Sequence, residues 1–310
     1  MIFKFFDRTV MLRELLVTSY LVRRLKPHYD LVIETQIGVP LRWTDAAYVY
    51  FPLVEILRSV GNQRRLRLHE KAYDPFVIWL MTSALVDTSR PMMANSTWTA
   101  KYVRRAYGSP RVYVVHPPVN VEELSSIGND RSRVVLTVSR IDRGKRVIEI
   151  PNIARLVPEA EFYLVGATRS ESGPILKVLR ERAKGLRNFH LETDVLRRRI
   201  TELMSQASIY LHPPFAEHFG IAIAEAAAAG LVPVVYRDGG GWTDIASRVD
   251  QGLGYTSVEE AARIVRSLLN DAERLKALSA KARKVAKGFS YEAFRARVEE
   301  VIRLLTAKGP

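Results

Sequence analysis

The sequence contains no cysteine. That excludes a disulfide scaffold, thiolate zinc sites and a cysteine nucleophile together. No Asp-x-Asp pair occurs in the 310 residues, and no glycine precedes Gly38. Lysine is scarce: 12 residues against 35 arginines. The apolar run Phe76–Met81 falls well short of the roughly 18 residues needed to cross a bilayer. The start, Met1–Arg8, meets charge at once and lacks the apolar region and cleavage site of a signal peptide. These absences lead to the expectation of a cytoplasmic protein, either soluble or peripheral at the cytoplasmic face of a membrane.

What is present fits an ordinary globular chain of about two domains. It is 47% hydrophobic and 26% charged. The net charge of +14 is the odd value. A basic excess suits a polyanion: nucleic acid, an acidic membrane or a phosphorylated ligand. It also suits a merely Arg-rich solvated surface. No basic-helix or aromatic-stacking nucleic-acid module is visible, so no nucleic-acid partner is expected. The histidines have no metal-ligand spacing, and no metal site is expected.

Helical spacing of apolar residues predicts a helix over 8–26, ended by Pro27. Short strand patterns follow at 29–34, 46–51, 91–94 and 112–115, with helices over 63–86 and from Asn95-Ser96 to about Arg105. His116-Pro117-Pro118 stops both helix and sheet and marks a boundary. Beyond it strands and helices alternate: strands near 134–138, 161–165, 189–191, 209–211, 232–236 and 253–255, with helices between them and three more after. That alternation predicts an α/β fold with a parallel sheet covered on both faces. Ligands in such sheets bind beyond the carboxyl ends of the strands. The loops to inspect therefore begin at Ser139, Gly166, Glu192, His212 and Arg237.

Two of these loops carry chemistry. Ser139-Arg140-Ile-Asp-Arg143-Gly144-Lys145-Arg146 gathers four bases at a strand-to-helix junction, which suits a phosphate. A solvated basic loop is the plain alternative. His212-Pro-Pro-Phe-Ala-Glu217-His218-Phe219-Gly220-Ile221 opens an Ala-rich helix that contains Glu225. Phe219, Gly220 and Ile221 offer amides at a helix start. Glu217 and Glu225 lie eight residues apart and suit different hydroxyls of one elongated ligand. The neighbours Ile221, Ala222, Ile223, Ala224 and Ala226 read as buried, so Glu225 needs a partner. His212 and His218 read more readily as structural histidines than as ligand contacts.

The stretch Glu217–Glu225 resembles the E-x7-E motif of retaining glycosyltransferases of family 4 (group 1). Ala94-Asn-Ser-Thr-Trp-Thr99, His116-Pro-Pro-Val119, Ser139-Arg140 with Lys145, and Gly239-Gly240 agree in order and spacing. Asn-Ser-x-Trp-Thr and Glu-His-Phe-Gly-Ile are most similar to the lipid-linked-oligosaccharide α-1,2-mannosyltransferases of asparagine-linked glycosylation. The resemblance implies the GT-B fold, two Rossmann-like domains with parallel sheets. It implies a donor domain over 117–289, a shortened acceptor-side domain over 1–116, and a final helix within 290–310 that returns to the first domain. The first domain lacks the family's opening strand and Gly-rich loop, so it is expected to be incomplete. Tyr50 stands where relatives carry His, and Asp244 where many carry Glu.

The same resemblance implies roles by position. Arg140 and Lys145 would bind the donor diphosphate and stabilise the leaving nucleotide. Glu217 would hold hydroxyls of the transferred sugar, supported by the amides of Phe219, Gly220 and Ile221. Glu225 would bind the ribose, and the base would lie near Thr193, Asp194 and Val195. No cofactor or metal would be required. The expected activity is hexose transfer with retention, with mannose from GDP-mannose as donor and a polyprenol-linked or other glycan as acceptor. Two alternatives stand beside it: a UDP-sugar transferase acting on a soluble acceptor, and a non-catalytic donor-binding subunit. Residues 1–116 hold 17 Lys and Arg against 9 Asp and Glu, which suits an anionic membrane surface.

Overall fold

A computed structural model describes residues 5–36, 38–52, 54–55, 75–128 and 131–306. The chain divides into two compact units: Met1–His116 with Arg295–Pro310, and Pro117–Phe294. The last helix, Tyr291–Thr306, begins in the second unit and groups with the first from Arg295 onward.

The first unit holds four parallel strands in chain order: β1 (Ile33–Glu34), β2 (Ala46–Val49), β3 (Met92–Ala94) and β4 (Val112–Val114). Its core joins Leu15 of the helix Phe5–Leu25 to Val49, Met92, Ala94, Ala100 and Val103. The helix Thr97–Tyr107 starts at Ser96, whose side chain accepts from the Thr99 amide at 2.9 Å, and ends at the left-handed Gly108. Both ends follow ordinary capping chemistry. Most of the helix expected over 63–86 lies outside the described residues. Its described end is a short helical turn that widens into a π-helix over Leu80–Ala84.

The second unit holds six parallel strands: β5 (Ser132–Arg140), β6 (Glu161–Ala167), β7 (Phe189–Thr193), β8 (Ala207–His212), β9 (Val232–Tyr236) and β10 (Gly254–Tyr255). They lie in the order β7-β6-β5-β8-β9-β10. This is the 3-2-1-4-5-6 order of dinucleotide-binding sheets, and the direction of winding reverses between β5 and β8. All six residues of β8 are buried. Helices on both faces remove the in-and-out alternation that a half-exposed strand would show.

The Ala-rich helix Ile221–Ala228 ends at Gly230, whose φ is +88°. Arg283 donates to the carbonyls of Ala228 (3.1 Å) and Ala229 (2.7 Å) there. A Cβ on Gly230 would meet that guanidinium at 2.5 Å. Glycine is therefore needed twice, for its backbone conformation and for the room it leaves.

Two expected elements change form. The helix expected from 145 is instead two 3₁₀ turns, Arg143–Lys145 and Val147–Glu149, followed by an α-helix over Ile150–Leu156. Asp142 caps the first turn by accepting from the Lys145 amide at 3.1 Å, and Arg146 takes a left-handed φ of +50°. The expected helix over 219–229 starts at Ile221, because Gly220 sits at φ +92°. Ile221, expected to be buried, is 52% exposed as the first residue of that helix. The sequence reading also missed the short helix Val121–Ser125, which Asn120 caps at its start.

Candidate active site

The carboxyl ends of β5 and β8 flank the winding reversal of the second sheet, and the residues singled out by the sequence gather there. Lys145 follows β5. Its ammonium lies 2.5 Å from Oε2 of Glu217, in the loop after β8. The Asp142 cap turns the loop so that Lys145 faces this carboxylate. Arg140, the last residue of β5, is half-exposed and lies 3.7 Å from the Asp142 carboxylate.

His212 closes β8 and is buried. Its Nε2 lies 3.2 Å from the same Oε2 of Glu217. Burial works against the Glu217 charge. The hydrogen bond from His212 and the nearby Lys145 ammonium outweigh it and hold the carboxyl well below the usual carboxylate range. Burial pushes His212 below the ordinary histidine value, and the pull of Glu217 does not reverse it. An ionised carboxylate only accepts, so the neutral ring carries its proton on Nε2. Its Nδ1 is buried without a hydrogen-bond partner among the described residues.

The loop after β9 supports the Glu217 loop from behind. The Gly240 amide donates to the Glu217 carbonyl at 2.6 Å. A Cβ on Gly239, whose φ is +87°, would lie 2.5 Å from the Glu217 carbonyl oxygen, and one on Gly240 would collide with the His218 carbonyl. Asp238 bridges the two loops by accepting from the amides of Ala216 (3.1 Å) and Gly239 (2.8 Å). That anchors Ala216 in a left-handed conformation, φ +52°, one residue before Glu217. This close backbone approach gives the Gly239-Gly240 pair a physical reason.

The remaining candidates are spread around this centre. Glu225 sits in the second turn of its helix and accepts from Arg197 at 3.0 Å. Burial is the main cause that raises the Tyr210 hydroxyl pKa, and the charges of Glu225 and Glu217 both add to it. Both carboxylates therefore act on one buried residue of β8. Phe219 is buried edge-on against Phe289, with ring centroids 5.1 Å apart. Gly220 precedes the helix that Ile221 begins, and its carbonyl accepts from the Ile223 amide at 2.9 Å.

Thr193, Asp194 and Val195 follow β7, two strands from β5 on the far side from β8. The Asp194 carboxylate accepts from the Thr168 amide (2.8 Å) and hydroxyl (2.6 Å), while the Asp194 amide donates to Gly166. That carboxylate is thus already engaged in joining two strand ends. Asp244 is buried and accepts from the Thr243 hydroxyl at 2.6 Å.

Sequence reading missed three contacts: His212 on Glu217, Arg197 on Glu225, and Arg146 over the rings of Tyr236 (4.4 Å) and Phe215 (5.4 Å). Only the first had a usable signal, a histidine at a strand end five residues before the motif carboxylate. Among the described residues, no group of three or more His, Asp or Glu could hold a metal ion.

The chain is 25% identical to the GDP-Man:Man(3)GlcNAc(2)-PP-Dol alpha-1,2-mannosyltransferase of Dictyostelium discoideum, over 66% of this chain and 45% of that protein. It is 28% identical to the Neurospora crassa protein of the same name, over 85% of this chain and 57% of that one. The chain thus spans about half the length of these curated relatives. Among solved structures, the sucrose-phosphate synthase of Thermosynechococcus elongatus aligns with a TM-score of 0.69 at 17% identity, covering 96% of this chain and 80% of that one. That likeness, and the two parallel-sheet units, give the GT-B fold. The sequence profile of the glycosyl transferases group 1 family matches residues 122–285. It spans more than half of the chain and takes in Arg140, Lys145, His212, Glu217 and Glu225, so this protein belongs to the group 1 glycosyl transferases.

Proposed function

We propose that the chain transfers mannose from GDP-mannose to a lipid-linked glycan with retention of configuration. The observation that carries this reading is the Lys145–Glu217 pair at the winding reversal of a nucleotide-binding sheet. A basic residue and a carboxylate stand together where a donor's diphosphate and sugar would meet. The printed names of the Dictyostelium and Neurospora relatives support the choice of GDP-mannose and of a lipid-linked acceptor.

Departure of the nucleoside diphosphate builds negative charge on its outer phosphate oxygens. Arg140 and Lys145 stabilise that charge, and the amides that open the helix Ile221–Ala228 add to it. Glu217 accepts from hydroxyls of the transferred sugar, and Glu225, steadied by Arg197, from those of the ribose. The base lies towards Thr193–Val195. The acceptor hydroxyl attacks on the face the diphosphate leaves and gives its proton to the departing phosphate oxygen, so no protein nucleophile is needed. We assign the diphosphate to these cationic side chains rather than to a divalent ion, and transfer should persist in excess chelator.

We also place the protein at an anionic membrane surface. The excess of bases in residues 1–116 supports this. So does the helix Phe5–Leu25, which exposes Leu16, Val17, Tyr20, Leu21 and Leu25 beside Arg13, Arg23 and Arg24. Among the described residues no helix is long and apolar enough to cross a membrane.

The test is a panel of GDP- and UDP-sugars, measured by calorimetry and by transfer to a polyprenol-diphosphate-linked oligomannose acceptor. GDP-mannose should bind, and Arg140→Ala or Glu225→Ala should weaken it at least tenfold. Binding of UDP-sugars alone, or donor binding without turnover, overturns the proposal.

A further inference from the structure

His212 is buried and ends a core strand, so its side chain can be read as packing. Three observations point elsewhere. First, the Lys145 ammonium and the His212 Nε2 approach the same oxygen of Glu217, Oε2, at 2.5 and 3.2 Å. Oε1 has no partner among the described residues. Second, the His212 ring is fixed on several sides. It lies nearly parallel to the Tyr210 ring, with centroids 6.1 Å apart and 20° between the planes, and Pro213 and Pro214 follow it directly. The Tyr255 hydroxyl donates to its carbonyl at 3.3 Å. Third, its Nδ1 is buried and unsatisfied, a cost that packing alone does not explain, because an apolar ring of similar size would avoid it.

We propose that His212 is a positioning residue for Glu217: its Nε2–H and the Lys145 ammonium hold Oε2, and Oε1 is thereby presented to the hydroxyls of the transferred sugar. This rests on the donor-binding reading given above. The two clamps differ in permanence. Lys145 has a mobile ammonium with three donors and is also assigned to the diphosphate, so donor binding draws on it. His212 is buried at the end of a core strand, and its Nε2 has no other partner among the described residues. It keeps the carboxylate in place when the lysine turns towards phosphate. The unsatisfied Nδ1 follows from this, since a ring that must donate from Nε2 while neutral leaves Nδ1 as an acceptor.

The experiment compares His212→Phe, His212→Asn and His212→Gln with the wild type. Calorimetry measures GDP and GDP-mannose separately, because only the second carries the sugar that Glu217 addresses. His212→Phe should leave GDP affinity within twofold, weaken GDP-mannose at least tenfold and lower kcat. His212→Gln, which can place an amide N–H near the lost Nε2, should restore most of both, and His212→Asn, whose shorter amide falls near Nδ1, should not. Equal weakening of GDP and GDP-mannose, or no effect of His212→Phe on either, overturns the proposal. Long-range ¹H–¹⁵N spectra of the unliganded full chain give a test that needs no donor. A neutral Nε2–H tautomer at neutral pH is expected; the Nδ1–H tautomer or an imidazolium overturns the clamp. If the wild type binds no GDP-mannose but shows the expected tautomer, the functional reading fails and the clamp stands.

Discussion

Lys145 and Glu217 stand 72 residues apart in the chain and 2.5 Å apart in space. Neither is held there by its own helix. Asp142 caps the turn that aims the lysine, and Gly240 bonds the carbonyl of the glutamate. The pair is partly buried, so removing one partner strands the other's charge in a poorly solvated place. Lys145→Met should raise the Glu217 pKa, since one of the two groups opposing burial is lost. A charge-assisted hydrogen bond is worth about 1.5–3 kcal/mol, so donor affinity should fall roughly ten- to a hundredfold. Calorimetry with GDP-mannose checks the second outcome, and ¹³C titration of the glutamate carboxyl checks the first.

The same site makes stability depend on pH with a definite sign. Burial lowers the pKa of His212 and of His218 from 6.5. As pH falls through that value, the unfolded chain takes up protons that the folded chain refuses, and stability declines. Glu217 titrates below the ordinary glutamate value of 4.5 despite burial, because His212 and Lys145 oppose protonation. It adds a second loss that starts near that value and is complete only once the folded carboxyl itself protonates. Denaturant midpoints followed from about pH 8 to about pH 2 should show both declines. His212→Gln should shrink the upper one to the share of His218 and leave the lower one in place. Flat stability across the upper range would remove the neutral assignment of His212.

Much of the candidate site was legible in the sequence, because its residues sit in contiguous loops. Glu217, Gly220 and Glu225 belong to one stretch, and the strand-helix alternation of the second unit follows hydrophobic pattern closely. What could not be read depends on backbone conformations that pattern does not encode. Arg146 and Ala216 adopt left-handed φ values without being glycine, and these break the expected helix at 145 and shape the loop before Glu217. The exposure of Ile221 was misread because an apolar residue in an Ala-rich run looks like core. In the first turn of a helix it is not. The link from His212 to Glu217 had only the strand-end position of the histidine as a signal, because five residues of irregular loop fix no geometry.

Gly239→Ala and Gly240→Ala test whether the two loops must touch. At Gly239 the added Cβ would lie 2.5 Å from one Glu217 backbone atom and 2.6 Å from another, and the left-handed φ adds strain. Backbone cannot yield as a flexible side chain can, so the Glu217 loop must shift. A shift of about 1 Å in a positioning element costs on the order of a hundredfold in rate. Each variant should keep its fold, as read by circular dichroism, and lose transfer. Unchanged kcat in either would show that the contact is dispensable.

Asn95 makes an opposite test in the first unit. It follows β3, is 4% exposed, and its Oδ1 is buried without a partner among the described residues. A buried unsatisfied polar atom costs about 1–3 kcal/mol. Asn95→Leu, which keeps approximate volume, should therefore stabilise the protein by about 1 kcal/mol and raise Tm by a few degrees. Differential scanning calorimetry reads this directly. A lower Tm would mean that the amide is satisfied in solution.

The outward side of the helix Phe5–Leu25 separates two kinds of membrane contact. Leu16 and Tyr20 form one exposed row, and Val17, Leu21 and Leu25 the next, while Leu15 and Ser19 are buried. Arg24 donates to the Tyr20 hydroxyl at 3.2 Å, and the Arg23 guanidinium lies 5.2 Å from the Trp43 ring centroid. The cations are thus held beside the apolar rows. Each basic residue near an anionic surface is worth about 1 kcal/mol, and the apolar rows add burial at the headgroup boundary. The protein should co-sediment with phosphatidylserine-containing vesicles and much less with pure phosphatidylcholine. Charge reversal of Arg13, Arg23 and Arg24 together should abolish binding. Leu21→Glu should weaken it without altering net charge by more than one unit. Salt decides which contribution dominates: at about 1 M the screening length is near 3 Å, so binding by charge alone would vanish, whereas a helix that buries its apolar rows would stay partly bound.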